Sequence, residues 1–178
     1  MTKRLLVTAG HSDSDPGAYN PRMKLGEAAL AVKLRDSVAN LLRMKGLVVS
    51  EDGLDGKNQP LPLAIKLAEQ SDLAVEFHFN AGGPDAVGIE AFSTPDKRPF
   101  AQALCLAVAS ATKSKIRGSG GWKSEAESQH KRLGYVRAGG VILELEFLSN
   151  DHAMTVFMAN SNKVAEAIAA CIANFAKG

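Results

Sequence analysis

The sequence predicts an α/β fold, a single domain with a mostly parallel twisted sheet, helices on both faces and a polar crevice at the C-terminal edge of the strands. Three observations lead there. Short apolar runs alternate along the chain with longer segments of helical period. Two of those runs, Leu73–Phe79 and Val141–Phe147, are apolar almost throughout, as strands covered on both faces are. The polar exceptions fall after the first run or late in these two, where open α/β sheets place their ligand crevice.

Leu5–Thr8 reads as the first strand. Gly26–Lys45 carries a long amphipathic helical pattern closed by Gly46, and Leu47–Ser50 is the strand that follows. Leu61–Glu69 reads as a helix, Leu73–Phe79 as a strand ending at Asn80-Ala81-Gly82-Gly83, and Val87–Phe92 as another strand. Arg98–Lys113 is helical. After the loop around Gly118-Ser119-Gly120-Gly121 comes the Val141–Phe147 strand, then a short helix capped by Asn150 or Asp151, and a last helix over Asn162–Ala176.

Composition sets limits. The 178 residues, 46% hydrophobic, suit one domain over 1–178 with a core and a cleft. A net charge of +2, from 21 basic and 19 acidic residues without a basic block, gives no footprint for nucleic acid. No run is long enough to span a membrane, and the start, Met1-Thr2-Lys3-Arg4-Leu5-Leu6-Val7, lacks a signal-peptide core, so synthesis in the cytoplasm is expected. Cys105 and Cys171 sit in apolar helical patterns and read as reduced, buried thiols without a role.

The polar residues at the sheet edge carry the chemistry. His11 lies in the turn-rich loop Gly10–Ala18, which contains Asp15-Pro16-Gly17. Glu27 opens the first long helix, where it complements the helix dipole and can also reach back toward the crevice. Alternation puts Glu76, His78 and Asn80 on one face of their strand, Phe77 and Phe79 on the other. It likewise puts Glu144 and Glu146 on one face of an apolar strand, a costly pairing that a metal, an arginine or a catalytic task would explain. Two histidines and a carboxylate suit a tetrahedral zinc site with one open position, and a separate glutamate suits a general base. These residues point to a metal-assisted hydrolase, with Glu144 and Glu146 equally placed for the base.

The motifs also resemble those of the zinc-dependent N-acetylmuramoyl-L-alanine amidases of bacterial cell-wall hydrolases and phage endolysins. The Gly10-His11 loop running to Asp15-Pro16-Gly17-Ala18 is similar to that family's first metal motif, and Glu27 matches its glutamate ligand. His78-Phe79-Asn80-Ala81 resembles its His-x-Asn-Ala motif, followed by Gly88-Ile89-Glu90; Arg117-Gly118 resembles its Arg-Gly turn. Leu143-Glu144-Leu145-Glu146-Phe147-Leu148-Ser149-Asn150 is close to its signature of a catalytic Glu, two spacers and Phe-Leu-Ser-Asn. The chain departs from the pattern in having Glu146 where the family is small or neutral, bulky Phe77 and Phe79, and no arginine in Val48–Asp52.

The resemblance implies Zn2+ held by His11, Glu27 and His78, Glu144 as catalytic base, and peptidoglycan as substrate, cut between N-acetylmuramic acid and L-alanine. Asn80, Arg117 and Glu146 are candidate substrate contacts, Asn80 being equally suited to shaping the turn before Ala81. Trp122 either stacks on a sugar or anchors its loop, His130 reads as solvent-facing, and His152, after Ser149-Asn150-Asp151, reads as a helix-terminus residue. A compact catalytic domain of this kind resembles a phage endolysin, expected to be a monomer that reaches the periplasmic wall after the membrane is breached. A non-catalytic wall-binding relative and another zinc peptidase or deacetylase on this scaffold are the alternatives.

Overall fold

The computed structural model describes residues 3–12, 14–53 and 57–178. In chain order the elements are β1 (Leu5–Ala9), β2 (Tyr19–Asn20), β3 (Leu25–Gly26), α1 (Glu27–Met44), β4 (Val49–Glu51), α2 (Leu61–Glu69), β5 (Leu73–Asn80), β6 (Glu90–Phe92), α3 (Arg98–Thr112), β7 (Trp122–Lys123), α4 (Gly134–Arg137), β8 (Val141–Phe147), α5 (Asp151–Ala159) and α6 (Ser161–Lys177). Six strands form one sheet in the order β4-β1-β5-β8-β6-β7. β4, β1, β5 and β8 are parallel, β6 runs antiparallel to β8, and β7 is parallel to β6.

Side-chain alternation divides the sheet into two unequal faces. Val7, Val75, Phe77, Ala91, Leu143 and Leu145 point into the larger core, which the long helices α1, α3 and α6 cover. Leu6, Ala74, Phe92 and Ile142 point the other way into a small core under α2 and the one-turn α4. This second cover is short. It leaves the C-terminal part of the same face, where Glu76, His78 and Glu144 project, as an open cleft.

The helix boundaries follow their local chemistry. Gly46, at φ +77, ends α1 in a Schellman arrangement, with Gly46 N donating to Arg43 O (2.9 Å) and Leu47 N to Leu42 O (3.1 Å). Asn150 caps α5, its side chain accepting from Ala153 N at 3.0 Å. The strand expected over Val87–Phe92 is only Glu90–Phe92, because Gly88 (φ +121) bends the chain just before it. The β2–β3 hairpin, β7 and α4 are two to four residues each, too short to carry a period of their own.

A buried guanidinium fixes the loop beside the first strand. Arg35 on α1 is fully buried and donates to Asp36 (2.7 Å), Asp52 (3.0 Å), Asn58 (3.1 Å) and the Lys57 carbonyl (2.9 Å). Asn58 in turn donates from Nδ2 to the carbonyls of Ala9 and His11. A charge supplied from α1 thus stands at the end of β4, although Val48–Asp52 contains no arginine. Burial pushes Asp52 up to about 6 against the pull of Arg35. Removing one partner of a buried ion pair leaves the other charge uncompensated. Arg35→Ala is therefore expected to lower unfolding free energy by about 3–5 kcal/mol in urea denaturation; a loss below about 1 kcal/mol would remove Arg35 as the anchor of this loop.

Candidate active site

Three separate elements deliver the site. His11 follows β1 in a left-handed conformation, φ 66, that few residues without a glycine's freedom adopt. Such strain persists only where the surroundings enforce it, and here Asn58 holds the His11 carbonyl while Ser12 and Asp15 pair their backbones. Glu27 is the first residue of α1 and is 4% exposed. Its Oε2 accepts from Ala18 N at 2.9 Å, and its Oε1 from Phe79 N at 3.0 Å. His78 lies late on β5.

These side chains converge on one point. Glu27 Oε1 stands 3.2 Å from His11 Nε2 and 3.1 Å from His78 Nδ1, and donor atoms of the three residues lie within 4.8 Å of one another. Two glycines make the approach possible. A Cβ on Gly10 would come within 2.2 Å of the His78 ring, and one on Gly17 within 2.6 Å of Glu27 Oε2. Hydrogen bonds from both histidines and from Ala18 N outweigh burial and hold the Glu27 carboxyl well below the usual carboxylate range. For His78 burial alone would lower the pKa, but hydrogen bonds to Glu27 and Glu76 raise it well above the ordinary value. His11 Nδ1 is 3.3 Å from Asp15 Oδ2, yet the geometry is not that of a hydrogen bond, and the atom has no partner among the described residues.

Two imidazole nitrogens and a carboxylate oxygen, gathered at one point, are the donor types of a zinc site. The residues therefore fit a divalent ion of this kind.

Glu144 stands beside the cradle, opposite His78 in the β5–β8 register. It lines the cleft, its Oε2 is covered and without a partner among the described residues, and burial pushes its pKa up to about 7. Glu146 lies elsewhere, contrary to the expected shared face. His78 pairs with Glu144 and Asn80 with Phe147, so β8 carries an extra residue and the alternation breaks between the two glutamates. Glu146 is 2% exposed, absent from the cleft lining, and accepts from Gly88 N (2.7 Å), Phe147 N (3.0 Å) and the Ser114 hydroxyl. It ties the loop before β6 to the end of α3 and is not placed to touch substrate.

The cleft has two lobes that meet at His11 and His78. The more polar one, about 640 Å3, contains Asn80, Glu90, Lys123, Gln129 and Glu144. The other, about 450 Å3, runs between Leu61, Ala64, Leu133 and Tyr135 over Glu76. Asn80 Nδ2 donates to Glu90 Oε1 at 3.0 Å. Arg117 does not line the cleft: its Nε donates to Glu90 Oε2 at 2.6 Å, and its guanidinium lies over the Phe147 ring at 4.8 Å. Lys123 joins the same carboxylate at 2.8 Å, and despite burial these partners hold Glu90 below the usual range. Because β6 is antiparallel, its first residue meets Glu144 at the same sheet edge, which strand-by-strand reading could not show. The sequence marks Glu76 only as sharing a strand face with His78, and Asn58, Lys123 and Tyr135 have no local pattern to mark them.

Trp122 anchors its loop, donating from Nε1 to Ser93 Oγ at 3.0 Å with the Arg98 guanidinium 5.0 Å above its ring. His130 is exposed at the junction of the two lobes, and His152 is exposed on α5. Cys105 and Cys171 are free thiols, and burial lifts Cys105 to about 12.

Comparison with known proteins decides the class. A family model described as N-acetylmuramoyl-L-alanine amidase matches residues 5–174. The chain belongs to the N-acetylmuramoyl-L-alanine amidase family. A Neisseria meningitidis protein assigned to these amidases is 44% identical, with a TM-score of 0.89 over 97% of this chain and 95% of its own. The catalytic domain of the amidase CwlV from Bacillus (Paenibacillus) polymyxa var. colistinus shares the fold at 24% identity, TM-score 0.82, covering 97% of each chain. So does the catalytic domain of the CD27L endolysin, which targets Clostridia difficile, at 18% identity, TM-score 0.73 and 97% of each chain. No curated protein sequence matches the chain. The amidase is thus a hydrolase of the amide between N-acetylmuramic acid and L-alanine in peptidoglycan. Among the described residues, no helix is long and apolar enough to cross a membrane.

The raised pKa of Glu144 has a consequence for stability. Its folded value, about 7, lies above that of an exposed glutamate, so the unfolded chain ionises first as pH rises. Stability of the metal-free amidase falls from about pH 4 to about pH 7 on this account and stays reduced above. Glu144→Gln removes the ionisation. It is expected to stabilise the metal-free protein by about 1–3 kcal/mol at pH 8 and by nothing near pH 4, read by urea titration at both pH values. A loss of stability at pH 8 would contradict the assignment.

Proposed function

We propose that the amidase is zinc-dependent, with His11, Glu27 and His78 holding the ion and Glu144 acting as general base and then acid. The observation that carries this reading is the convergence of two imidazoles and one carboxylate beside a separate, unpartnered carboxyl. A bound zinc ion supplies Lewis acidity at a carbonyl and acidifies water. Glu144 takes a proton from the attacking water, whose oxygen bonds to the lactyl carbonyl carbon of muramic acid. As the C–N bond breaks, Glu144 returns the proton to the alanine nitrogen. The products are a glycan bearing a free lactyl carboxylate and a peptide with a free amino terminus.

Other side chains support that step. Asn80, at the wall of the polar lobe and braced by Glu90, orients the substrate. Arg117 acts through Glu90, holding its charge and position. Glu27 is fixed by two backbone amides before any ion arrives, so little reorganisation accompanies loading.

Three outcomes test the reading. Purified protein is expected to carry about one zinc per chain, and chelation to abolish release of peptides from cell walls. Glu144→Ala is expected to keep its zinc and lose about 100-fold or more in turnover. Mass spectrometry of the digest should show intact glycans and peptides beginning with L-alanine. Activity that survives chelation, or full activity in Glu144→Ala, would refute the mechanism.

The reading extends to an endolysin that lyses a host from within, supported by the fold shared with the CD27L catalytic domain. Co-expression with a membrane-perforating protein in a Gram-negative host is expected to lyse the culture, and Glu144→Ala to leave it intact. Lysis equal in both would refute this setting.

A further inference from the structure

The mechanism leaves Glu76 without a task. It lies on the central strand β5, two residues before His78 on the same face, and is only 3% exposed. A carboxylate buried in the middle of a sheet is costly unless it is paired. Its Oε2 is 3.1 Å from His78 Nε2. Its Oε1 is 3.5 Å from Thr8 Oγ1, which is itself 3.0 Å from the hydroxyl of Tyr135, a ring that is 1% exposed. Among the described residues Glu76 is the only one that meets His78 Nε2.

The rest of the surroundings leave the imidazole little choice. One face of the ring rests on Gly10, where a Cβ would come within 2.2 Å. Its Nδ1 points at Glu27 Oε1, 3.1 Å away, inside the cradle. The two nitrogens are therefore divided between two carboxylates, one inside the cradle and one behind it.

We propose that Glu76 is a positioning residue for the divalent cation, accepting the His78 Nε2–H and so holding the tautomer and ring orientation in which Nδ1 presents its lone pair to the cradle. The inference rests on the metal-hydrolase reading above. A carboxylate behind a ligating histidine also makes that nitrogen a better donor, and loss of such a partner typically weakens metal affinity 10–100-fold. Glu76 acts on the cation through the ring of His78 and is not itself one of the three cradle residues.

The test titrates chelator-stripped protein with Zn2+ in competition with a chromogenic chelator, for wild type, Glu76→Gln and Glu76→Ala. The visible spectrum of each protein loaded with Co2+ is a second readout, because it reports ligand orientation and not folding. Glu76→Ala is expected to raise the Zn2+ dissociation constant about 10–100-fold and to shift the Co2+ bands. Glu76→Gln keeps an acceptor oxygen without the charge and is expected to fall between the two. Circular dichroism and Tm of the metal-free proteins establish folding; should Glu76→Ala not fold, Glu76→Gln decides alone. Folded variants with wild-type affinity and spectrum would overturn the role of Glu76 while leaving the metal site standing. A wild-type protein that takes up no Zn2+ would overturn both.

Discussion

The site depends on the carboxylate of Glu27. Its two oxygens accept backbone amides from the loop after β1 and from β5, and one of them also faces both histidines. Those contacts join three chain segments that are distant in sequence. The geometry requires Glu27 to be the first residue of its helix, because only there does the side chain reach back over the sheet edge. It requires glycine at positions 10 and 17, because a side chain at either would occupy the space of the imidazoles or of the carboxylate itself. It also requires His11 in a strained conformation, which the Arg35–Asn58 network beneath the loop enforces.

Around that centre several acids are buried or half-buried at one end of the sheet, and each is settled differently. Glu90 is met by Arg117 and Lys123, and Glu146 by backbone amides and a hydroxyl. Glu76 is met by an imidazole. Among the described residues the Oε2 of Glu144 is covered and without a partner, and Glu144 stands beside the cradle. Differences of environment of this sort separate acids that hold structure from one that is free to exchange a proton. The uneven helix cover of the sheet provides the room: α2 and α4 stop short, and the uncovered face becomes a two-lobed cleft with the cradle at its middle.

Much of this was legible in the sequence, wherever one physical rule acted alone. The period of two in Leu73–Asn80 put His78 and Asn80 opposite Phe77 and Phe79, and the structure agrees, because β5 is regular until its last pairs. Gly46 marked the end of α1, since a left-handed position there favours glycine. The same alternation failed at Glu146, because a bulge is a property of two paired strands and neither strand announces it alone. The place of Glu90 beside Glu144 was out of reach for a related reason, since it depends on the direction of β6. Arg35 looked like any charge on an amphipathic helix, and Asn58 like any loop residue, until the fold brought them beneath His11. From the residues alone Glu144 and Glu146 were equivalent, and the resemblance separated them by position. The structure separates them by contacts.

In the proposed mechanism His11, Glu27 and His78 together hold one divalent ion. X-ray absorption at the zinc edge of the loaded protein tests it most directly, because it reads the ligand atoms themselves. A shell of nitrogen and oxygen alone at about 2.0–2.1 Å, with the multiple-scattering pattern of two imidazoles, is expected. Sulfur at about 2.3 Å, or a shell with fewer than two imidazoles, would contradict it.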